Sequence, residues 1–196
     1  FESKLTQEFR LHFDEKIAEM FQSIGIREGS VWIEVFHDGE NYYFNEVGFR
    51  YGGSVSIYPV DYFYQINQVA ADIHYALTGE SCISEHTSLI RSTLPRKKYY
   101  CIYPVHINAG TISSISGLDK IAQLENIVYL ATTKYLHDRI ESSGSFSQVF
   151  ALVHFVCNTT EECIQTIDRI HQMLVVFDEH GNNMVNRMLD VGKIIF

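Results

Sequence analysis

The residues best suited to chemistry in this chain gather in one short stretch. Glu34 lies in SVWIEVF. Glu46 and Arg50 lie in NYYFNEVGFRYGGS, which runs into the pair Gly52-Gly53. Hard cations such as Mg²⁺ take oxygen ligands, commonly one or two carboxylates with substrate phosphates completing the shell. Two glutamates on neighbouring strands can supply that set only if both point to the same face. Arg50 could be the salt-bridge partner of those carboxylates, or it could grip a phosphate or carboxylate bidentately. The glycines allow a backbone to approach a ligand closely, or to turn a corner closed to other residues. The competing reading makes Glu34, flanked by Trp32 and Phe36, a satisfied polar residue on a half-exposed strand.

The elements that must position these groups read as a β-hairpin. SVWIEVF (30–36) is β-branched and aromatic, HDGE is a turn, and NYYFNEV (41–47) is the returning strand. Loop length then decides the chemistry, because side chains alternate along a strand. A two-residue Asp38-Gly39 loop pairs Glu34 with Tyr43 and sends Glu46 to the opposite face. A three-residue Asp38-Gly39-Glu40 loop pairs Glu34 with Phe44 and sets Glu46 on the same face, one diagonal and about 7–8 Å away. Only the second loop lets the glutamates share an ion.

Around the hairpin, Leu5, Phe9, Phe13, Ile17, Met20, Phe21 and Ile24 recur at helical spacing and predict a helix over 2–24, stopped by Gly25. A second helix is predicted over 60–77, with Thr78-Gly79 ending it. Residues 81–97 are polar, with Pro95 and Arg96-Lys97-Lys98, and read as a linker between units 1–80 and 98–196. The later unit reads as strands at 98–106 and 111–116, a short helix at 117–124 and a strand at 126–133. A loop at 137–147, a strand at 148–157 and a helix at 159–173 follow. That helix has Thr159 or Asn158 as its cap and Glu162 near the third helical position. VVF and a turn at HGNN close the pattern. Helices alternating with mostly antiparallel strands give an α+β fold class.

The bulk numbers set limits. The 196 residues are 46% hydrophobic and 20% charged, an ordinary globular balance with ample length for a core. The formal net charge of -9 argues against nucleic acid or an anionic membrane surface as a primary partner. It leaves room for a nucleotide, whose phosphates a metal ion can neutralise. Apolar runs such as ALVHFV are too short to span a membrane. No signal peptide is evident, and an opening on Phe1-Glu2-Ser3 suggests a piece of something longer. Cys82, Cys101, Cys157 and Cys163 lack CxxC spacing and read as reduced thiols of a cytoplasmic protein, ahead of disulfides or a metal site.

The run from about Glu2 to Glu80 resembles the last part of the ATP-grasp domain. In that superfamily a helix precedes a strand carrying a metal-binding glutamate, and the next strand ends in a second one within E-x-N-x-R, followed by small residues. SIGIREGSVWIEVF and YYFNEVGFRYGGS fill those places, with the glutamate spacing of biotin-carboxylase-like and carbamoyl-phosphate-synthase-like members. Further on, AGTISSISGLDKIAQLENIV resembles the G-x-I-x-x-I-x-G-L segment of their C-terminal lobe, and VVFDEHGNNMV its end.

This resemblance implies that Glu34 and Glu46 hold Mg²⁺ (or Mn²⁺) against ATP phosphates. It implies that Arg50 contacts a phosphate or the acyl-phosphate, and that Phe36 packs near the adenine. Gly48 stands where the motif has asparagine, so water or a bidentate carboxylate would replace that ligand. The lysines that grip the nucleotide belong to lobes upstream of such a segment. The whole would be an ATP-dependent ligase joining a small carboxylate to an amine or similar nucleophile. The rival from another class is a non-catalytic α+β module that binds a small molecule or forms a homodimer through residues 98–196.

Other candidates are weaker. His37 reads as an exposed turn residue and His154 as a hydrogen-bonded core residue. Ser145 and Ser147 lack a G-x-S-x-G setting. DEHGNN lacks the spacing of a calcium loop. Tyr58, Tyr62, Phe63 and Tyr64 read as packing residues.

Overall fold

The computed structural model describes residues 4–83 and 98–187, and the chain divides into two compact units between residues 96 and 97. Most of the expected linker falls outside the described residues.

The first unit opens with helix α1 (Lys4–Ser23), followed by strands β1 (Trp32–His37) and β2 (Tyr42–Gly48), which form a two-stranded antiparallel sheet. The aromatic positions of α1 explain its docking. Phe9 and Phe13 lie four apart, on one helix face, and both rings meet Tyr42 and Phe44 of β2 at centroid distances of 5.4 to 5.8 Å.

The expected 60–77 helix is two helices, α2 (Ile57–Tyr64) and α3 (Gln68–Thr78). Gln65 turns left-handed at the end of α2, and the Asn67 side chain accepts the Ala70 N–H to cap α3. Residue spacing alone reads continuously across this junction, but the cap breaks it. Of the packing aromatics, Tyr64 is buried and Tyr62 is partly exposed.

The second unit holds strands β3 (Tyr99–His106), β4 (Gly110–Ser116), β5 (Ile127–Thr132), β6 (Arg139–Ile140), β7 (Val149–Cys157) and β8 (Val175–Asp178). Its helices are α4 (Leu118–Ala122) and α5 (Thr160–Met173). They make two antiparallel sheets, in order β3-β7-β5 and β6-β4-β8. The expected 137–147 loop contains β6 and a 3₁₀ turn at Phe146–Gln148. Strand β7 explains the density of this unit: VFALVHFVC is apolar on both faces, and eight of its nine residues are buried.

Helix α5 lays Cys163, Ile167 and Ile170 into the same core. Its start is a capping box: the Thr159 hydroxyl accepts the Glu162 N–H, and Glu162 reaches back to the Asn158 N–H. Gly117, at φ 95°, starts α4 where an added Cβ would lie 2.0 Å from the Met173 carbonyl oxygen, so only glycine fits.

Two buried histidines of this unit meet tyrosine hydroxyls. The Tyr100 hydroxyl meets His154 Nδ1 at 3.0 Å, as expected for a core histidine. The Tyr103 hydroxyl meets His171 Nε2 at 2.6 Å. Burial pushes the Tyr103 phenol up to about 12, and it lowers His171, with Arg187 adding to that effect. The DEHGNN segment is a turn in which Asp178 accepts the His180 and Asn182 N–H groups. No helix among the described residues is long and apolar enough to cross a membrane.

Candidate functional site

The site is built by the hairpin turn. The loop has four residues, 38–41, because Asp38 Oδ1 accepts the N–H groups of both Glu40 and Asn41 and so pins an Asx turn. These bonds, with the Tyr43 hydroxyl donating to Oδ2, hold the Asp38 carboxyl well below the usual range. Neither the two-residue nor the three-residue loop weighed above forms. A regular ladder from a four-residue loop would pair Glu34 with Asn45 and send Glu46 away.

The strand avoids that outcome with a bulge. The register runs His37↔Tyr42, Phe36↔Tyr43 and Val35↔Phe44, then skips Asn45 to reach Glu34↔Glu46. The two glutamates are thus directly opposite, where side chains share a face and their Cβ atoms lie about 4.5–5.5 Å apart. The bulged residue also holds one of them: Asn45 Nδ2 donates to Glu34 Oε1 at 2.8 Å.

The hairpin faces divide cleanly. Tyr42 and Phe44 lie against α1, on the side shared with Val35 and His37. His37 stacks on Tyr42 at 4.5 Å and is partly covered, so it is not the exposed turn residue expected. The other face carries Trp32, Glu34 and Phe36 on β1 and Tyr43, Glu46 and Gly48 on β2. On it Glu34 is half-buried, Glu46 is exposed, and Phe36 and Tyr43 are 59% and 53% exposed.

Arg50 does not pair with either glutamate. Its guanidinium lies over the Trp32 ring at 5.1 Å, and Nη1 donates to the Tyr51 carbonyl at 2.9 Å. Trp32 is the site residue that the sequence reading missed. It is the chain's single tryptophan and sits opposite Gly48, where an added Cβ would come within 2.4 Å of Trp32 Nε1. Its buried indole N–H has no hydrogen-bond partner. The indole therefore occupies the room that a side chain at position 48 would need.

The corner after β2 is tied to α3. The Tyr51 hydroxyl and the Ser30 hydroxyl both donate to Asp72, and the Tyr51 phenol is pushed up to about 12 by burial first and by Asp72 second. Gly52 leaves room for the Ser56 hydroxyl, which accepts its N–H at 3.1 Å, whereas Gly53 faces open space.

As a donor set, the face offers two opposed carboxylates. Like charges directly opposite destabilise a strand pair unless a cation lies between them. That chemistry suits a hard divalent ion whose remaining ligands are phosphate oxygens and water.

Solved structures of similar shape name the architecture. The L-amino acid ligase from Bacillus licheniformis superposes with a TM-score of 0.71 at 22% identity, over 91% of this chain and 45% of that one. The fold is that of the C-terminal part of an ATP-grasp protein. A phosphoribosylglycinamide synthetase from Anaerococcus prevotii matches with the same TM-score at 13% identity, over 91% of this chain and 44% of that one. The chain thus spans less than half the length of the ATP-grasp structures it matches. No family model and no curated protein matches the sequence.

Proposed function

We propose that this chain is the C-terminal portion of an ATP-dependent ligase of the ATP-grasp type, with residues 1–80 supplying the metal-binding hairpin and 98–196 the C-terminal lobe. The observation that carries the reading is the bulged register, which sets Glu34 against Glu46 on the face away from α1. Glu34 and Glu46 would hold Mg²⁺ or Mn²⁺. When bound, that ion screens the charge of the ATP phosphates. Asn45, which donates to Glu34, would keep that carboxylate aimed, and water or a bidentate carboxylate would replace the oxygen that the motif's asparagine gives.

Arg50, whose guanidinium lies over the Trp32 ring, would contact a phosphate or the acyl-phosphate. Nη1 already serves the Tyr51 carbonyl, so Nη2 and Nε would make that contact. Phe36 and Tyr43 offer an apolar surface on the same face, and Phe36 would pack near the adenine. In the reaction a carboxylate oxygen of the substrate attacks the γ-phosphorus of ATP and ADP leaves. An amine or similar nucleophile then attacks the acyl carbon, and inorganic phosphate leaves. The protein's part in such transfers is positioning and charge stabilisation.

The open glutamate face and the exposed Leu11, Ile24 and Leu77 would meet upstream lobes of the same enzyme, which would close over the nucleotide in the cytoplasm. The test uses the full-length protein, ATP and a panel of small carboxylates with an amine acceptor. Glu46→Gln is expected to lower Mg²⁺-dependent ADP release by about a hundredfold or more, with unchanged folding. Turnover at the native rate in both Glu34→Gln and Glu46→Gln would overturn the assignment.

A further inference from the structure

The second unit holds a cluster that the hairpin chemistry does not use. Cys101 comes from β3, Cys157 from the end of β7 and Cys163 from the second turn of α5. Cys101 is opposite Phe155, so Cys157, two residues on, projects from the same face of the sheet, the face that α5 covers. The sulfurs of Cys101 and Cys157 are 3.7 Å apart, and those of Cys101 and Cys163 are 3.8 Å apart. All three sulfurs lie within 4.8 Å of one another. Cys157 and Cys163 are buried and Cys101 is half-buried, with all three cysteines free thiols.

These distances have a chemical reading. Four thiolates around a tetrahedral ion at about 2.3 Å from the metal define edges of about 3.8 Å. Two edges of this triangle already have that length, before any ion draws the third together. Core thiols that merely fill space have no reason to converge from three separate elements. Thiolates select soft d¹⁰ ions, Zn²⁺ and Cu⁺ among the biological ones.

The surroundings suit an ion with one position left open. Cys157 lines a cleft of about 570 Å³ that also presents Lys98, Asn126, Glu162 and Arg169. The cleft would give a path from solvent toward Cys157, and its Lys98 and Arg169 stand beside Glu125 and Glu162, so its lining adds no net charge. The geometry points to a three-cysteine site for a thiophilic d¹⁰ cation, Zn²⁺ or Cu⁺, formed by Cys101, Cys157 and Cys163. It is separate from the carboxylate pair and independent of the ligase reading.

The test is a metal titration of the reduced, chelator-treated full-length protein without oxygen, with Mg²⁺ in excess to occupy carboxylates. Zn²⁺ and Cu⁺ are run as separate arms against a chromophoric chelator, and Cd²⁺ reports sulfur-to-metal charge transfer in the ultraviolet. The expected result is one ion per chain with a thiolate charge-transfer band. Affinity should fall more than about tenfold in Cys101→Ser and Cys163→Ser and stay unchanged in Cys82→Ser. Should a serine variant misfold by circular dichroism, X-ray absorption on the loaded wild-type protein decides, with three sulfurs at about 2.3 Å expected. Three results would each overturn the site: no stoichiometric uptake in either arm, a shell of oxygen and nitrogen alone, or a disulfide among these cysteines in protein isolated under reducing conditions.

Discussion

The β1–β2 hairpin and the β3-β7-β5 sheet are both antiparallel, yet they are built to opposite ends. Eight of nine residues of β7 are buried, whereas none of the seven in β2 is. The sheet carries apolar side chains on both faces and is closed by α5. The hairpin turns Tyr42 and Phe44 onto α1 and leaves its other face to carboxylates and open aromatics. Charges explain the difference. Two glutamates sealed into an interior would lose hydration worth several kcal/mol each. On an open strand pair they keep water until a ligand replaces it. One region supplies stability and the other supplies a surface.

The largest expected effect tests that division in the sheet. Phe150 is fully buried on β7, and Phe150→Ala should cost about 3–5 kcal/mol in urea unfolding. Val47→Ala on the half-exposed β2 position should cost under about 1 kcal/mol, and equal losses would break the contrast. Next comes the Trp32–Gly48 exchange. Gly48→Asn should destabilise by about 1–3 kcal/mol, because the new Cβ meets the indole. The double variant Trp32→Ala/Gly48→Asn should lose less than the sum of the two singles in a double-mutant cycle.

A smaller effect depends on pH. His171 is held below its usual 6.5 by burial, so the unfolded chain binds its proton first. Stability of the second unit is then flat above about 6.5 and falls as pH drops below it. His171→Gln should flatten that slope in thermal melts. The smallest effect lies in the turn. Asp38→Ala should speed amide hydrogen exchange at Glu40 and Asn41, whose N–H groups Asp38 accepts, without moving the global melting temperature. Because that carboxyl is depressed in the folded chain, the wild-type turn should stay ordered at pH 3.8, the ordinary aspartate value.

Local signals were legible in the sequence. Thr159 and Glu162 wrote the capping box of α5, Gly25 the end of α1, and alternating aromatics the hairpin. The fold that the resemblance implied is the one the solved structures share. What was not legible depended on competition between local bonds. Asp38 lengthened the loop by claiming two backbone donors, and Asn45 restored the face by leaving the ladder. Two opposite errors in register cancelled, which no count of residues along a strand reveals. Asn67 hid as one polar residue in a helical pattern. The cysteines were unreadable for another reason: 56 and 62 residues separate Cys101 from its two neighbours, and only the packing of α5 on the sheet joins them.

One ion between Glu34 and Glu46 would define the site. The direct measurement is paramagnetic broadening by Mn²⁺ with ATP in the full-length protein, labelled at the methyls of Val35 and Val47, which flank the pair. Broadening of Val35 and Val47 that vanishes in Glu46→Gln is the predicted result. Broadening that ignores the substitution, or that leaves both hairpin methyls sharp while the nucleotide is bound, would contradict it.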